Sequence, residues 1–168
     1  MIKIGNNISE FSVYSCQPKT KDELIEIIQN RISKEGPNCD LNDIDTSLIT
    51  DMSYLFAKSK FNGDISNWNT SKVNKMELMF YKSRFKGDLS NWDVSNVIYM
   101  DSMFCNTEFN GDISRWDVSR VTDMCNAFRN SRFNQDISNW KINYICNTIG
   151  MFKNCPIKEE YKPKLNNI

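Results

Sequence analysis

Four aspartates, Asp64, Asp88, Asp112 and Asp136, stand 24 residues apart, and carboxylates stacked above one another could gather the oxygens that calcium requires. One carboxylate per repeat supplies too few ligands unless Asn and Ser neighbours join. An aspartate accepting backbone N–H bonds in a turn accounts for the recurrence without a metal, so neither metal nor cofactor is expected. Six cysteines, Cys16, Cys39, Cys105, Cys125, Cys146 and Cys155, could do nucleophilic or redox chemistry. They form no CxxC pair, their spacing is irregular, and the chain has no histidine. That removes Ser-His-Asp and Cys-His arrangements and every His-containing zinc or haem site. The cysteines read as reduced, small, buried hydrophobes. No Walker-type or dinucleotide glycine pattern occurs, and no glycine-rich loop frames a carboxylate pair. The expectation is a protein without catalytic residues.

The elements that hold these residues follow from an internal period, the sign of a stacked array. Trp68, Trp92, Trp116 and Trp140 advance by 24, as do Phe61, Phe85, Phe109 and Phe133. A second block repeats in phase: Val73, Val97, Val121 and Ile145, then Phe80, Phe104, Phe128 and Phe152. Leu41, Ile44, Thr46, Ile49, Met52 and Phe56 precede their counterparts by 24 and make a degenerate first unit, giving five in all. In Asn91-Trp92-Asp93-Val94-Ser95 apolar and polar residues alternate, which predicts a short strand burying Trp92 and Val94. Val97, Met100, Met103 and Phe104 follow at intervals of three and four, which predicts a short helix. The expected fold is an α/β repeat solenoid of five 24-residue coils, each a short parallel strand plus a short helix, to which the resemblance given below adds a leucine-rich-repeat-like form. The Trp and Phe columns would form its core.

Three segments result: 1–36, a leader segment and capping helix; 37–156, the repeat solenoid; and 157–168, a cap or tail. Thr20 with Glu23 three later is a capping box and predicts a helix from about Lys21 to Ser33 over the open edge of the first coil. The chain as given shows no signal-peptide core and no run long enough to span a bilayer. This points to a cytoplasmic protein, with secretion or surface display as the alternative if Met1 is not the native start.

Binding needs positions that vary while the frame repeats. The outward strand positions include Asp45, Asn69, Asp93, Asp117 and Lys141 in one column and Asn91 and Arg115 in the next. Lys75 and Tyr99 share a flanking phase and Arg129 another; Tyr and Arg are frequent interface anchors. The strand columns predict a polar concave face, flanked by Lys75, Tyr99 and Arg129, that docks a protein partner on the face or its adjacent edge, the free chain being monomeric. Lys plus Arg and Asp plus Glu both total 21, so there is no overall basic field, and nucleic acid is not the expected partner. The one exception is the basic stretch Lys58, Lys60, Lys72, Lys75, Lys82, Arg84 and Lys86, which supports a nucleic-acid-competing module as a further alternative.

The recurring block Phe109-Asn-Gly-Asp-Ile-Ser-Arg-Trp116-Asp-Val-Ser resembles the BspA-like leucine-rich-repeat surface proteins of the mycoplasma lipoprotein type, over about residues 38 to 155. The resemblance implies a concave parallel sheet, a convex side of short helices, protein binding and no shared catalytic residue set. The function expected is a non-enzymatic binder acting by surface occupation, an intracellular inhibitor or adaptor. The alternative is a surface-displayed adhesin.

Overall fold

In a computed structural model, residues 14–165 are described; the segment 1–13, where a leader would lie, falls outside the described residues, as does the end of the tail. The capping box forms. Thr20 Oγ1 accepts the Glu23 amide at 3.2 Å, and Glu23 Oε2 accepts the Lys19 amide at 2.7 Å. The helix α1 runs Lys21–Glu35, two residues past the expected end, and Gly36 closes it at φ 90 with its N–H on the Ile32 carbonyl. Leu24 and Ile28 are buried against the first repeat. Arg31 pairs with Asp43 at 2.9 Å and Lys21 with Asp51 at 3.2 Å, fastening the helix at two points. Before the helix, Cys16 bridges Ile44 in parallel.

Successive repeats lie one on the next, but not by the pairing expected. The N–H groups of Met52, Tyr54, Phe56 and Lys58 donate to the carbonyls of Lys75, Glu77, Met79 and Tyr81 at 2.9, 3.0, 2.9 and 2.6 Å. The same four bonds recur from Met76, Met100 and Met124 onward, always reaching 23 residues ahead. Parallel bridges Asp51↔Lys75, Lys75↔Tyr99, Tyr99↔Asp123 and Asp123↔Asn147 begin this wall. It occupies the segment whose apolar spacing predicted a helix. The Trp-Asp-Val-Ser segment, the expected strand, instead makes turns, with the Trp92 amide on Leu89 and the Val97 amide on Val94. Among the described residues strand and helix are therefore misplaced in the sequence reading, and no sheet forms on the Trp side.

The reason is local. Each wall segment is a run of tight turns in which every second N–H points to the next repeat. Met52 to Leu55 and Phe56 to Ser59 close i→i+3 bonds, and the third residue of each has positive φ, Tyr54 at 66 and Lys58 at 58, as a type II turn demands. Spacings of three and four between inward residues suit consecutive turns as well as a helix. A left-handed residue every four positions rules the helix out.

Inside, the columns stack. Phe56, Phe80, Phe104, Phe128 and Phe152 are 5.5 to 5.7 Å apart between neighbouring ring centroids. Phe61 lies 6.1 Å from Phe85, and Trp68 lies 6.3 Å from Trp92 with planes within 5°. Each indole N–H is satisfied by a carbonyl 27 residues earlier: Trp68 on Leu41, Trp92 on Ile65, Trp116 on Leu89 and Trp140 on Ile113, at 2.9 to 3.1 Å. A buried indole without such an acceptor would cost about 1 to 3 kcal/mol. At the carboxyl end, the turn Glu159–Tyr161 folds back so that the Ile137 amide bonds the Tyr161 carbonyl, and Lys162 lies over Phe152. Ile145 is 58% exposed although its counterparts Val73, Val97 and Val121 are buried, because among the described residues no further repeat covers it.

Candidate functional site

The Trp-side wall is a row of turns in which an Asp or Asn side chain accepts the amide two residues on. Asp64, Asp88, Asp112 and Asp136 do so from Ser66, Ser90, Ser114 and Ser138 at 2.8 to 2.9 Å. These bonds hold the Asp64 and Asp112 carboxyls below the usual carboxylate range. The aspartate column is thus committed to turn formation. No group of three or more acidic or thiol side chains arranged for a metal occurs among the described residues.

The next column works the same way. Asn69 accepts from the Ser71 amide and hydroxyl at 3.1 and 2.7 Å, and Asp93 from Ser95 at 3.0 and 2.6 Å. Asp117 accepts the Ser119 amide at 3.1 Å, and bonds from Ser119, aided by the charge of Lys141, lower its carboxyl. One carboxylate oxygen is pinned and the group is held in a fixed orientation, exposed at Asp93 and Asp117. Arg115, Asp117, Asn139 and Lys141 come together around a shallow groove of about 350 Å³. Asn91 is exposed in the column of Arg115.

Three expected members do not join this group, and one is occupied. Asp45 is half-buried and accepts the Gln17 amide at 2.6 Å, so the chain ahead of α1 already takes its carboxylate. Lys75 and Tyr99 belong to the bridged wall, on the other side of the turn at Val73 and Val97. Arg129 sits at the opposite end of that wall, bonded to Asn126 at 3.3 Å in a groove with Tyr81, Lys82 and Asn130. Lys75, Tyr99 and Arg129, expected to flank the row, lie away from it because the hydrogen-bonded wall and the Trp wall are different sides of the coil.

Three of the thiols are poorly suited to nucleophilic work. Burial pushes Cys146 up to about 11, with the Asp123 charge adding to it. Burial likewise raises Cys39, helped by Glu35, and Cys105. All six cysteines are free thiols.

One surface was missed. The positions between the two walls, 57–62 and their equivalents at 81–86, 105–110, 129–134 and 153–158, collect cations from four repeats. The signal was available in the 24-residue phase, but the sequence reading followed one continuous stretch instead. Two of that stretch, Lys72 and Lys75, lie elsewhere: Lys72 faces Asp45 and Lys75 is in the bridged wall.

A family model described as Mycoplasma protein of unknown function, DUF285, matches residues 28–128 and 83–161. No curated protein and no solved structure matches the chain.

Proposed function

The chain belongs to the DUF285 family of mycoplasma proteins of unknown function, and from that premise we propose that it is a non-enzymatic, protein-binding repeat solenoid, BspA-like in kind, that acts by occupying a partner's surface. Its Trp-side row docks the partner: Asn69, Asn91, Asp93, Arg115, Asp117 and Lys141. One observation carries this reading. The inward residues of the Trp-side turns recur repeat after repeat, while the outward column changes from Asn69 through Asp93 and Asp117, side chains the turns already orient, to Lys141. Pre-oriented groups lose little entropy on binding, which favours affinity without a chemical step. The elevated thiols and missing imidazole speak for the absence of catalysis. The role that fits is an inhibitor or adaptor. The same row would serve a surface-displayed adhesin, a reading the repeat resemblance favours.

The test is a comparison of the wild type with Asp93→Lys/Asp117→Lys, each used to capture partners from the native cell at moderate salt. Loss of one stoichiometric protein partner with an unchanged melting temperature supports the row. Equal capture by both forms refutes it. Whether that partner is a cytosolic or a surface protein separates the two roles.

A further inference from the structure

The formal net charge is zero, yet the charges are sorted by side. On the turns between the two walls, Lys58 and Lys82 share one column, Lys60, Arg84 and Arg132 the next, and Lys86 and Lys158 a third. Arg129 and Lys153 flank them from the adjacent column. Against these nine cations the same positions carry one acid, Glu108. Eight of the nine are exposed, Arg129 alone being half-buried. Among the described residues only Lys86 of the nine makes an ion pair, with Glu108 at 2.7 Å. Glu108 is held below the usual carboxylate range by its bond to Lys86 and by that charge, with Arg132 and Arg84 adding to it, so these side chains converge. Lys60, Asn62, Arg84, Lys86 and Glu108 line one open groove of about 490 Å³. The opposite, Trp-side turns, positions 39–50 and their equivalents, carry nine acids against four cations. The molecule is therefore bipolar, and the balance of 21 against 21 conceals it.

What this edge lacks identifies its partner. Among the described residues none of the large exposed apolar side chains, Tyr14, Leu48, Tyr54, Tyr99, Tyr144, Ile145 or Ile149, belongs to it. An amphipathic membrane contact needs such residues to insert, and a tight protein interface needs them as anchors. Tyr81 and Tyr161, the tyrosines there, are half-buried, with Lys82 over the first ring at 5.2 Å and Lys158 over the second at 4.7 Å, so no open platform exists for stacking unpaired bases. The Asn oxygens between the cations are taken, Asn62 by the Lys86 amide, Asn110 by the Asn134 amide and Asn134 by the Lys158 amide; cations interleaved with such amides and a single carboxylate are the chemistry of phosphate-backbone binding without base readout. Four steps of ~4.8 Å make the edge ~19 Å long, room for several phosphates at ~3.4 Å per strand. We infer that the edge formed by Lys58, Lys60, Lys82, Arg84, Lys86 and Arg132 binds the phosphate backbone of double-stranded nucleic acid, independently of its sequence. This stands apart from the protein-docking row and does not depend on it.

The experiment is fluorescence anisotropy of a labelled DNA duplex of about 20 base pairs at about 50 and 150 mM salt, with wild type and Arg84→Glu/Arg132→Glu. If each of the four cationic rows neutralises one phosphate, affinity falls about 50-fold between the two salts, from a micromolar value, and the double reversal lowers the log–log slope by about two. Duplexes of unrelated sequence bind alike. The melting temperature of the variant checks that it is folded, and Asp93→Lys/Asp117→Lys binds at least as well as the wild type. No binding by folded protein at the lower salt overturns the inference, as does binding untouched by the double reversal. Capture of phosphatidylglycerol vesicles without capture of duplex overturns it in favour of a membrane. Salt-sensitive self-association without duplex binding overturns it in favour of a second copy docking its acidic side.

Discussion

Replacing Lys82 by Asn should stabilise the protein. Lys82 is exposed and held at φ 53, the third residue of the turn Phe80 to Ser83. A side chain with a Cβ costs roughly 1 to 2 kcal/mol in that region, and Asn is among the few residues that tolerate it. The same column already shows the solution further along, where Asn106, Asn130 and Asn154 have φ of 59, 54 and 57. There the Asn130 amide donates to Asn106 at 3.2 Å and the Asn154 amide to Asn130 at 2.8 Å. Asn at position 82 would extend this ladder to Asn106, adding a hydrogen bond worth about 0.5 to 1.5 kcal/mol. Relief of part of the backbone cost plus the new bond gives about 1 to 2 kcal/mol, or about 3 to 6 °C in a chain of this size. Removing a cation from a crowded edge also stabilises, so Lys82→Gln serves as the charge control and the melts are run at high salt. The quantity that matters is the difference between the two variants. Lys82→Asn melting no higher than Lys82→Gln would refute the turn geometry.

A Cβ at Gly63 would stand 1.9 Å from the Cys39 carbonyl oxygen, whereas at Gly111 it would meet only the Phe109 ring at 2.9 Å. Gly63→Ala should therefore cost about 3 kcal/mol in denaturant melts and Gly111→Ala about 1, the two ends of the overpacking range. Trp92→Phe leaves the Ile65 carbonyl without its indole donor and should cost about 1 to 3 kcal/mol, while Trp92→Ala should cost about 3 to 5; equal, small losses would contradict a stacked indole column. Burial, together with Glu77 and Asp123, raises the Asp101 carboxyl, so its charge destabilises the fold above the unfolded value near 4. Asp101→Asn should melt higher than the wild type at pH 7, and the gap should close below about pH 4 as the wild-type carboxyl protonates. Asp43, Asp64, Asp112 and Asp117 are shifted the other way: Asp43 is lowered chiefly by Ser15, and the other three by bonds from the Ser two residues on. Their contribution is present above the unfolded value and is lost as pH falls through the lower folded values, so the wild-type melting temperature should drop below about pH 4.

Burial of the Trp and Phe columns was readable from the sequence because identical residues at a fixed interval must occupy identical sites. The Thr20–Glu23 capping box was equally legible, since its partners lie three residues apart and need no tertiary information. Placement of the hydrogen-bonded wall was not. Val97, Met100, Met103 and Phe104 have a spacing shared by a helix and by successive turns, and what decides between them is the φ of Ser102 and Asn106, of which only Asn points to a left-handed backbone. Leu78 in the same phase, at φ 51, hides the signal further. The binding row was half legible: alternation identified Asn91, Asp93, Arg115, Asp117 and Lys141 as outward. It did not reveal that Gln17 occupies Asp45 or that Tyr99 and Arg129 lie on other sides, since both depend on how the coil turns its corners. The basic edge escaped because its cations are distant in sequence and adjacent only after folding.

Binding through the Trp-side row is tested most directly by site-specific photo-crosslinking in the native cell. A photoreactive residue replaces exposed Asn91 in the row in one form and exposed Asn106 on the opposite turns in another. The account predicts that the Asn91 form captures one protein in stoichiometric yield and the Asn106 form does not. Capture of that protein from Asn106 but not from Asn91 would contradict it.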